Sequence, residues 1–416
     1  MGSHTLGHTL PLWSVLPFAG MLLCIALIPL VSHRFWALHF GKVSLAFGAP
    51  VAAFFLYADH KELLHTALEY FSFIVLLGSL FTISGGILLK GTMRGSPGVN
   101  CAFFGVGAVI ANLLGTTGAS MLLIRPLLRA NAHRKKKSHV YIFFIFVVSN
   151  IGGSLTPIGD PPLFLGYLKG VPFFWTLWNL WYFWLLANSL VIGVFYVLDR
   201  RAMRAEEAEG DGIDEGVGER VPLSLEGAWN FALLGVVILA VFIPTPWREV
   251  AMIAASAVSV WKTPKPIREK NEFTWHPIEE VAILFAGIFA TMIPALLILK
   301  ARGGELGVTQ PWHFFWVTGS LSSFLDNAPT YLTFLSLAQG LSGPADVVGV
   351  SAPILQGISA GAVFMGANSY IGNAPNFMVK SIVESAGVRM PSFLGYMAYS
   401  MVVLLPIFAF VTWLFL

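Results

Sequence analysis

Charge is scarce in this chain: Asp, Glu, Lys and Arg make up 11% of its 416 residues, against about a quarter in a soluble globular protein. With 56% of the chain drawn from AVILMFWYC, that scarcity excludes a water-soluble fold and makes lipid the solvent. The formal net charge of +3 is too small, and the basic residues too confined to loops, for a nucleic-acid partner. Cysteine is scarce too. Cys24 and Cys101 each fall within an apolar stretch, far apart, so neither a disulfide framework nor a thiolate metal site is expected. There is no phosphate-binding loop of the G-x-x-x-x-G-K-S/T type, so nothing suggests ATP-driven transport. Histidines lie near the N-terminus and in loops without a paired ligand motif inside an apolar run, which argues against an intramembrane metalloenzyme. No enzymatic activity is expected. The run from Leu10 to Val31 lacks a basic n-region and a small-residue cleavage site, and reads as a retained span.

A helix needs about 20 residues at 1.5 Å each to cross about 30 Å of hydrocarbon. Apolar runs bounded by Pro, Gly and charge place spans at 11–31, 41–57, 69–90, 138–168 and 172–198, then at 223–243, 247–261, 276–300, 347–386 and 391–415. Two further stretches, 97–131 and 311–341, are too long for one span. Their middles are interrupted by Gly115-Thr116-Thr117-Gly118 and by Asp326-Asn327-Ala328-Pro329. Two short arms joined at a polar tip, a re-entrant hairpin, fit both. The expected fold class is an all-α polytopic membrane protein.

The order of elements repeats. Gly78 matches Gly287 and Thr82 matches Thr291 at an offset of 209, Gly115 matches Asp326 at 211, and Asn150 matches Asn368 at 218, which also sets Pro157 against Pro375. A duplication explains this, with repeat 1 at 1–198, a polar and acidic cytoplasmic linker at 199–222, and repeat 2 at 223–416. Each repeat has five full spans, and hairpins return to the side they left, so repeat 2 enters from the opposite face and the repeats are inverted. With the N-terminus outside, one face receives nineteen Lys and Arg and the other five. The former face is then cytoplasmic and both termini lie outside.

Non-helical backbone at membrane depth is tolerated only where protein buries it or a wet cavity meets it, so polar interruptions locate a site. SNIGGSLTPIGDPP, Ser149 to Pro162, and GANSYIGNAPN, Gly366 to Asn376, cannot form continuous helices. Two unwound spans and two hairpin tips can converge at one midplane. There Ser, Thr, Asn and freed carbonyls offer hard oxygen ligands, and helix N-termini offer partial positive charge. That suits Na⁺, a proton-exchanging carboxylate, or an anion. A charge at a helix centre costs about 2.5–3.5 kcal/mol on insertion scales, so Asp160 and Asp326, the acids of the interrupted regions, are the sharpest candidates to hold Na⁺ or exchange a proton. Each also has a plainer reading, as a cap on the helix that follows. Glu69, Glu279 and Glu280 read as interfacial, and Arg125 as snorkelling toward the cytoplasm.

These motifs carry a resemblance. SNIGGSLTPIGDPP is similar to the GGSxTPIGD motif of NhaD-type Na⁺/H⁺ antiporters, LDNAP at Leu325 to Pro329 is similar to their second hairpin tip, and Leu284 to Thr291 is similar to a further segment of theirs. Nearly the whole chain resembles the ion transporter superfamily, which includes those antiporters, divalent-anion and citrate symporters, and arsenite exporters. It departs at the first tip, where Gly115-Thr116 stands in place of an Asp-Asn pair, and both tips lack the Ser-Asn-Thr signature of divalent-anion symporters. The resemblance implies Na⁺ between each tip and its neighbouring unwound segment. One site would use Thr116, Thr117, Asn150 and Thr156, the other Asp326, Asn327, Asn368 and Asn373, with Asp160 on the proton side. It also implies Na⁺ and/or H⁺ as coupling ions with no other cofactor, an elevator-like motion, and a homodimer in the plasma (inner) membrane of a prokaryote. Na⁺/H⁺ antiport leads; Na⁺- or H⁺-coupled symport of a small citrate-like carboxylate or other anion stays open.

Overall fold

The computed structural model describes residues 3–91, 93–208, 224–341 and 345–416. Helix dominates, as it must where backbone groups in lipid can find partners only within their own segment. The chain opens with α1 (Ser3–Thr9), a 3-10 turn, α2 (Leu16–Val31), α3 (His33–Ala58) and α4 (His60–Ser84). Ser32 and Asp59 cap α3 and α4 by accepting from Phe35 N and Glu62 N, so both helices begin well ahead of the apolar runs at 41 and 69. The third span also ends early: helix stops at Ser84, and Leu88–Lys90 form a strand, β1, rather than a last helical turn.

Next, α5 (Pro97–Ala130) is two arms bent at Gly115, whose φ of 76° and ψ of 156° are foreign to a helix and suit glycine. The outer ends of the arms meet. Gly95 N donates to Ala130 O at 2.7 Å, and the Asn100 and Asn131 amides exchange hydrogen bonds of 3.1 and 2.8 Å. The two arms of 97–131 therefore fold back on each other as a helical hairpin. α6 (Ser138–Val147), a 3-10 turn at Ile151–Leu155 and α7 (Pro161–Leu168) make a broken span, followed by α8 (Trp175–Ala208). α8 takes in residues 199–208, which the sequence had suggested as linker. The reason is Asp199, which that helix carries to Arg134 (2.5 Å) and His139 (2.7 Å) in a buried cluster. The rest of the expected linker, 209–222, lies outside the described residues.

The second half begins with β2 (Ser224–Glu226), antiparallel to β1 with Leu89 opposite Leu225. It continues through α9 (Asn230–Ala240), α10 (Trp247–Lys262), α11 (Lys265–Lys270), α12 (His276–Arg302), α13 (Pro311–Ser322), α14 (Asn327–Gln339), α15 (Ala352–Met365), α16 (Ala374–Ser385) and α17 (Phe393–Phe415). The expected span 223–243 is therefore a strand and an 11-residue helix, about 16 Å long and too short to cross the hydrocarbon alone. Apolar composition does not separate strand from helix there; Gly227, at φ 72°, turns the chain between them. Among the described residues, eight helices are long and apolar enough to cross a membrane. Pro97–Ala130 is one of these by length, although Gly115 folds it back.

Helices apolar on every side belong inside a protein. Val140 to Val147 on α6 and Leu355 to Phe364 on α15 supply many fully buried side chains, so the two broken spans form the centre. α2 and α3 instead expose Leu23, Leu27, Leu45 and Leu56. In lipid, moving an apolar side chain from acyl chains to protein gains little, so close packing and hydrogen bonds hold this centre. Gly357 and Gly361, one turn apart on α15, let α13 approach until a Cβ on either would collide with the Pro311 or Phe315 carbonyl.

Candidate functional site

Asp160 stands one residue before α7, and its side chain makes no cap hydrogen bond. The cause is local: Pro161 and Pro162 open α7 and offer no N–H, and the next one, Leu163 N, donates to the Asp160 carbonyl instead. This removes the capping reading of Asp160. The carboxylate turns inward instead, 1% exposed. Its Oδ1 accepts from Thr116 Oγ1 at 2.8 Å and from Asn373 Nδ2 at 3.0 Å, while Oδ2 accepts from Asn327 Nδ2 at 2.6 Å. Both hairpin tips and both broken spans thus meet on one carboxylate. Thr116, Asn327 and Asn373 are themselves buried. Four helical segments begin around this point: the second arm of α5 after Gly115, α7, α14 and α16. Their N-terminal ends contribute partial positive charge.

Equivalent contacts recur in the two halves. Gly159 N donates to Thr156 Oγ1 at 3.1 Å, and Gly372 N to Ser369 Oγ at 3.2 Å. Asn112 Nδ2 donates to the Ala108 and Gly152 carbonyls at 2.9 and 2.7 Å; Ser323 Oγ donates to those of Gly319 and Met365 at 2.8 and 3.2 Å. Leu155 N donates to Asn112 Oδ1, and Asn368 Nδ2 to Ser323 Oγ. These pairs lie at an offset of 211 in the hairpins and 213 in the broken spans. The match of Asn150 to Asn368 and Pro157 to Pro375, at 218, is corrected. Asp160 matches Asn373, Pro162 matches Pro375, and Ile158-Gly159 matches Ile371-Gly372. Matching Asn to Asn by identity slid the register by five residues; contacts to backbone atoms set it.

The remaining candidates are distributed around this centre. Asn150 reaches across to the other broken span, donating to Asn376 Oδ1 at 2.7 Å and accepting from Asn373 Nδ2 at 3.3 Å. Thr156 is half-buried and donates to Asn112 O at 2.6 Å, which ties the loop to the first hairpin. Thr117 is half-buried and, among the described residues, makes no hydrogen bond to Asp160. Asp326 caps α14, Oδ1 accepting from Ala328 N at 3.0 Å. The two four-residue sets are therefore not separate: Thr116 of one and Asn327 and Asn373 of the other share Asp160. Asn327 Oδ1 and Asn368 Oδ1 are buried without a hydrogen-bond partner. No Lys or Arg side chain touches Asp160 among the described residues. Arg125 is turned away, paired with Glu272 at 2.8 Å.

Asn112, Ser323 and Asn376 were not singled out from the sequence, yet each fastens a hairpin or broken helix in place. Asn376 Nδ2 donates to the Gly366 and Ser369 carbonyls, both at 2.8 Å. An Asn inside an otherwise apolar hairpin arm was the available signal for Asn112. The shared Ile-Gly-Asp/Asn-x-Pro string was the signal for the register.

A family model described as "Putative citrate transport" matches residues 7–416. No curated protein matches the chain. The chain belongs to that family, and is a largely helical integral membrane protein of a transport family.

Proposed function

We propose that this chain is a secondary active transporter that carries a citrate-like carboxylate, coupled to Na⁺ or H⁺ at Asp160. One observation carries the reading: a carboxylate 1% exposed, held by Thr116, Asn327 and Asn373 and facing no basic side chain among the described residues. A charge so placed is balanced most directly by a cation or a proton. The unpartnered oxygens of Asn327 and Asn368 are ready ligands for a cation.

Coupling follows from electrostatics. An anionic substrate approaching an ionised Asp160 meets like charge in a medium of low dielectric. Once a cation or proton has neutralised Asp160, the four helix N-termini favour the anion. Substrate and coupling ion then load together or not at all. Family membership supports citrate as the class of substrate.

The paired contacts at offsets of 211 and 213 support inverted repeats, and the charge asymmetry of nineteen against five supports both termini outside. For the motion, we favour an elevator in a homodimer of a prokaryotic inner membrane. Both hairpins, both broken spans, α8 and α17 would move against a scaffold of α2, α3, α4, α9, α10 and α12. The polar network lies in the moving unit, and the Lys169–Glu69 ion pair at 2.7 Å joins it to the scaffold.

The test is uptake of labelled citrate by proteoliposomes under an imposed inward Na⁺ gradient, and separately under a pH gradient. Acceleration by one gradient is expected. No citrate uptake under either, together with Na⁺-driven proton movement, selects the second reading, Na⁺/H⁺ antiport. That reading is favoured by Asp326, a second acid at the tip that also supplies Asn327.

A further inference from the structure

A groove of about 670 Å³ runs between α4, α10 and α12, with walls that include Ile74, Gly78, Ile253, Ala257 and Ile278 and none of the residues that hold Asp160. Both serines that line it are spent on the backbone: Ser79 and Ser256 donate to Met252 O, at 3.2 and 2.9 Å. The groove is therefore apolar in what it offers. Val260 and Trp275 also line a second cavity of about 230 Å³, to which Lys265, Arg268, Glu269 and Phe273 contribute. An apolar channel thus opens into a basic mouth.

Arg268 is fixed in that mouth by neutral acceptors. Its Nη1 donates to Thr82 O at 2.8 Å, its Nη2 to Ser259 Oγ at 2.9 Å, and its guanidinium lies 5.0 Å from the Phe273 ring centroid. Its Nε is buried and has no partner. Among the described residues, neither Arg268 nor Lys265 pairs with a carboxylate; Glu269 sits exposed at the rim. A guanidinium held rigidly by neutral acceptors, with no carboxylate paired to it, is a preformed seat for an oxyanion. Trp261 and Trp275, 79% and 47% exposed, stand where the channel meets the mouth, and such rings favour headgroup depth.

We propose that this groove binds an anionic phospholipid, with an acyl chain between α4, α10 and α12 and its phosphate on Lys265 and Arg268. Charge complementarity selects the headgroup: a zwitterionic lipid would bring its own cation against two basic side chains, with Lys262 and Lys270 near in sequence. These residues belong to the basic loop set that the charge count assigns to the cytoplasmic face, where anionic lipids concentrate.

The test uses the intact protein in mild detergent, exposed to equal amounts of phosphatidylglycerol and phosphatidylcholine with the same acyl chains, and read by native mass spectrometry. One retained phosphatidylglycerol per chain is expected, favoured about tenfold over phosphatidylcholine. Lys265→Gln, an exposed change, should lower that preference about fivefold. Gly78→Leu should abolish retention, since a Cβ at Gly78 meets only Ile278 Cγ1, at 3.8 Å, and the larger side chain fills the groove. Equal retention of both lipids by the wild type, or a preference that survives Lys265→Gln, overturns the proposal. So does full retention by a Gly78→Leu protein that remains monodisperse; if that variant misfolds, Lys265→Gln decides alone.

Discussion

Asn373 Nδ2 lies 3.0 Å from Asp160 Oδ1, and the two residues hold the same place in their broken spans, each immediately before the helix that resumes the crossing. One is an acid and the other its amide. A second carboxylate there would repel the first, whereas the amide donates to it. The Asp160 carboxylate is therefore supplied by one half of the chain and held by donors from both.

Asp160→Asn keeps the shape and removes the charge. Thr116 and Asn373 can still donate to the new amide oxygen, and the Asn327 amide can turn so that its unpartnered Oδ1 accepts from the new NH2, while a neutral side chain at this depth needs no counter-charge. Melting temperature should stay level or rise, while gradient-driven uptake into proteoliposomes is lost. Retained coupling would move the coupling charge elsewhere, with Asp326 next in line.

Asp326 separates capping from ion binding. Asp326→Ala removes the acceptor for Ala328 N and should cost about 1 kcal/mol; Asp326→Asn keeps a cap of similar strength. The Asn variant is expected to melt like the wild type in the absence of Na⁺, yet to lose Na⁺-dependent stabilisation. Thermal melts across a Na⁺ titration read both effects. An unchanged Na⁺ response would leave Asp326 as a cap.

The broken spans fold back tightly enough to exclude a methyl group. A Cβ at Gly372 would lie 2.5 Å from Gly366 O and 2.6 Å from Ser322 O, and one at Gly159 would collide with Gly153 O. Overpacking of this kind costs about 1–3 kcal/mol or more, so Gly159→Ala and Gly372→Ala should each reduce the yield of monodisperse protein. Gly105→Ala, with nothing within 4 Å of the added carbon, should be neutral or stabilise α5 by up to about 1 kcal/mol. Size-exclusion profiles and melts of the three variants make the comparison.

An elevator requires Lys169 to leave Glu69, its partner at 2.7 Å across the moving boundary. With Cys24 and Cys101 replaced, Glu69→Cys and Lys169→Cys joined by a short cleavable bis-maleimide should stop transport. Cleavage of the linker should restore it. Full transport with the linker intact would favour local gating by the hairpins around a stationary site.

The sequence alone determined what local physics can determine. Scarce charge and the lengths of apolar runs gave membrane helices; Gly and Pro between Ser149 and Pro162, and between Gly366 and Asn376, gave the unwound segments; Gly115 and Asp326-Asn327 gave the tips. Each of these follows from dihedral preference or from the cost of charge in lipid at the residue itself. Tertiary structure decided which side chains meet. Asp160 joins Thr116, Asn327 and Asn373 over separations of 44, 167 and 213 residues. It also decided that 88–90 pairs with 224–226 as strand, that α8 runs on past Asp199, and that the Asp160 side chain turns to Thr116, Asn327 and Asn373 rather than capping α7. No local preference distinguishes these outcomes, because each depends on a partner that only packing brings within reach.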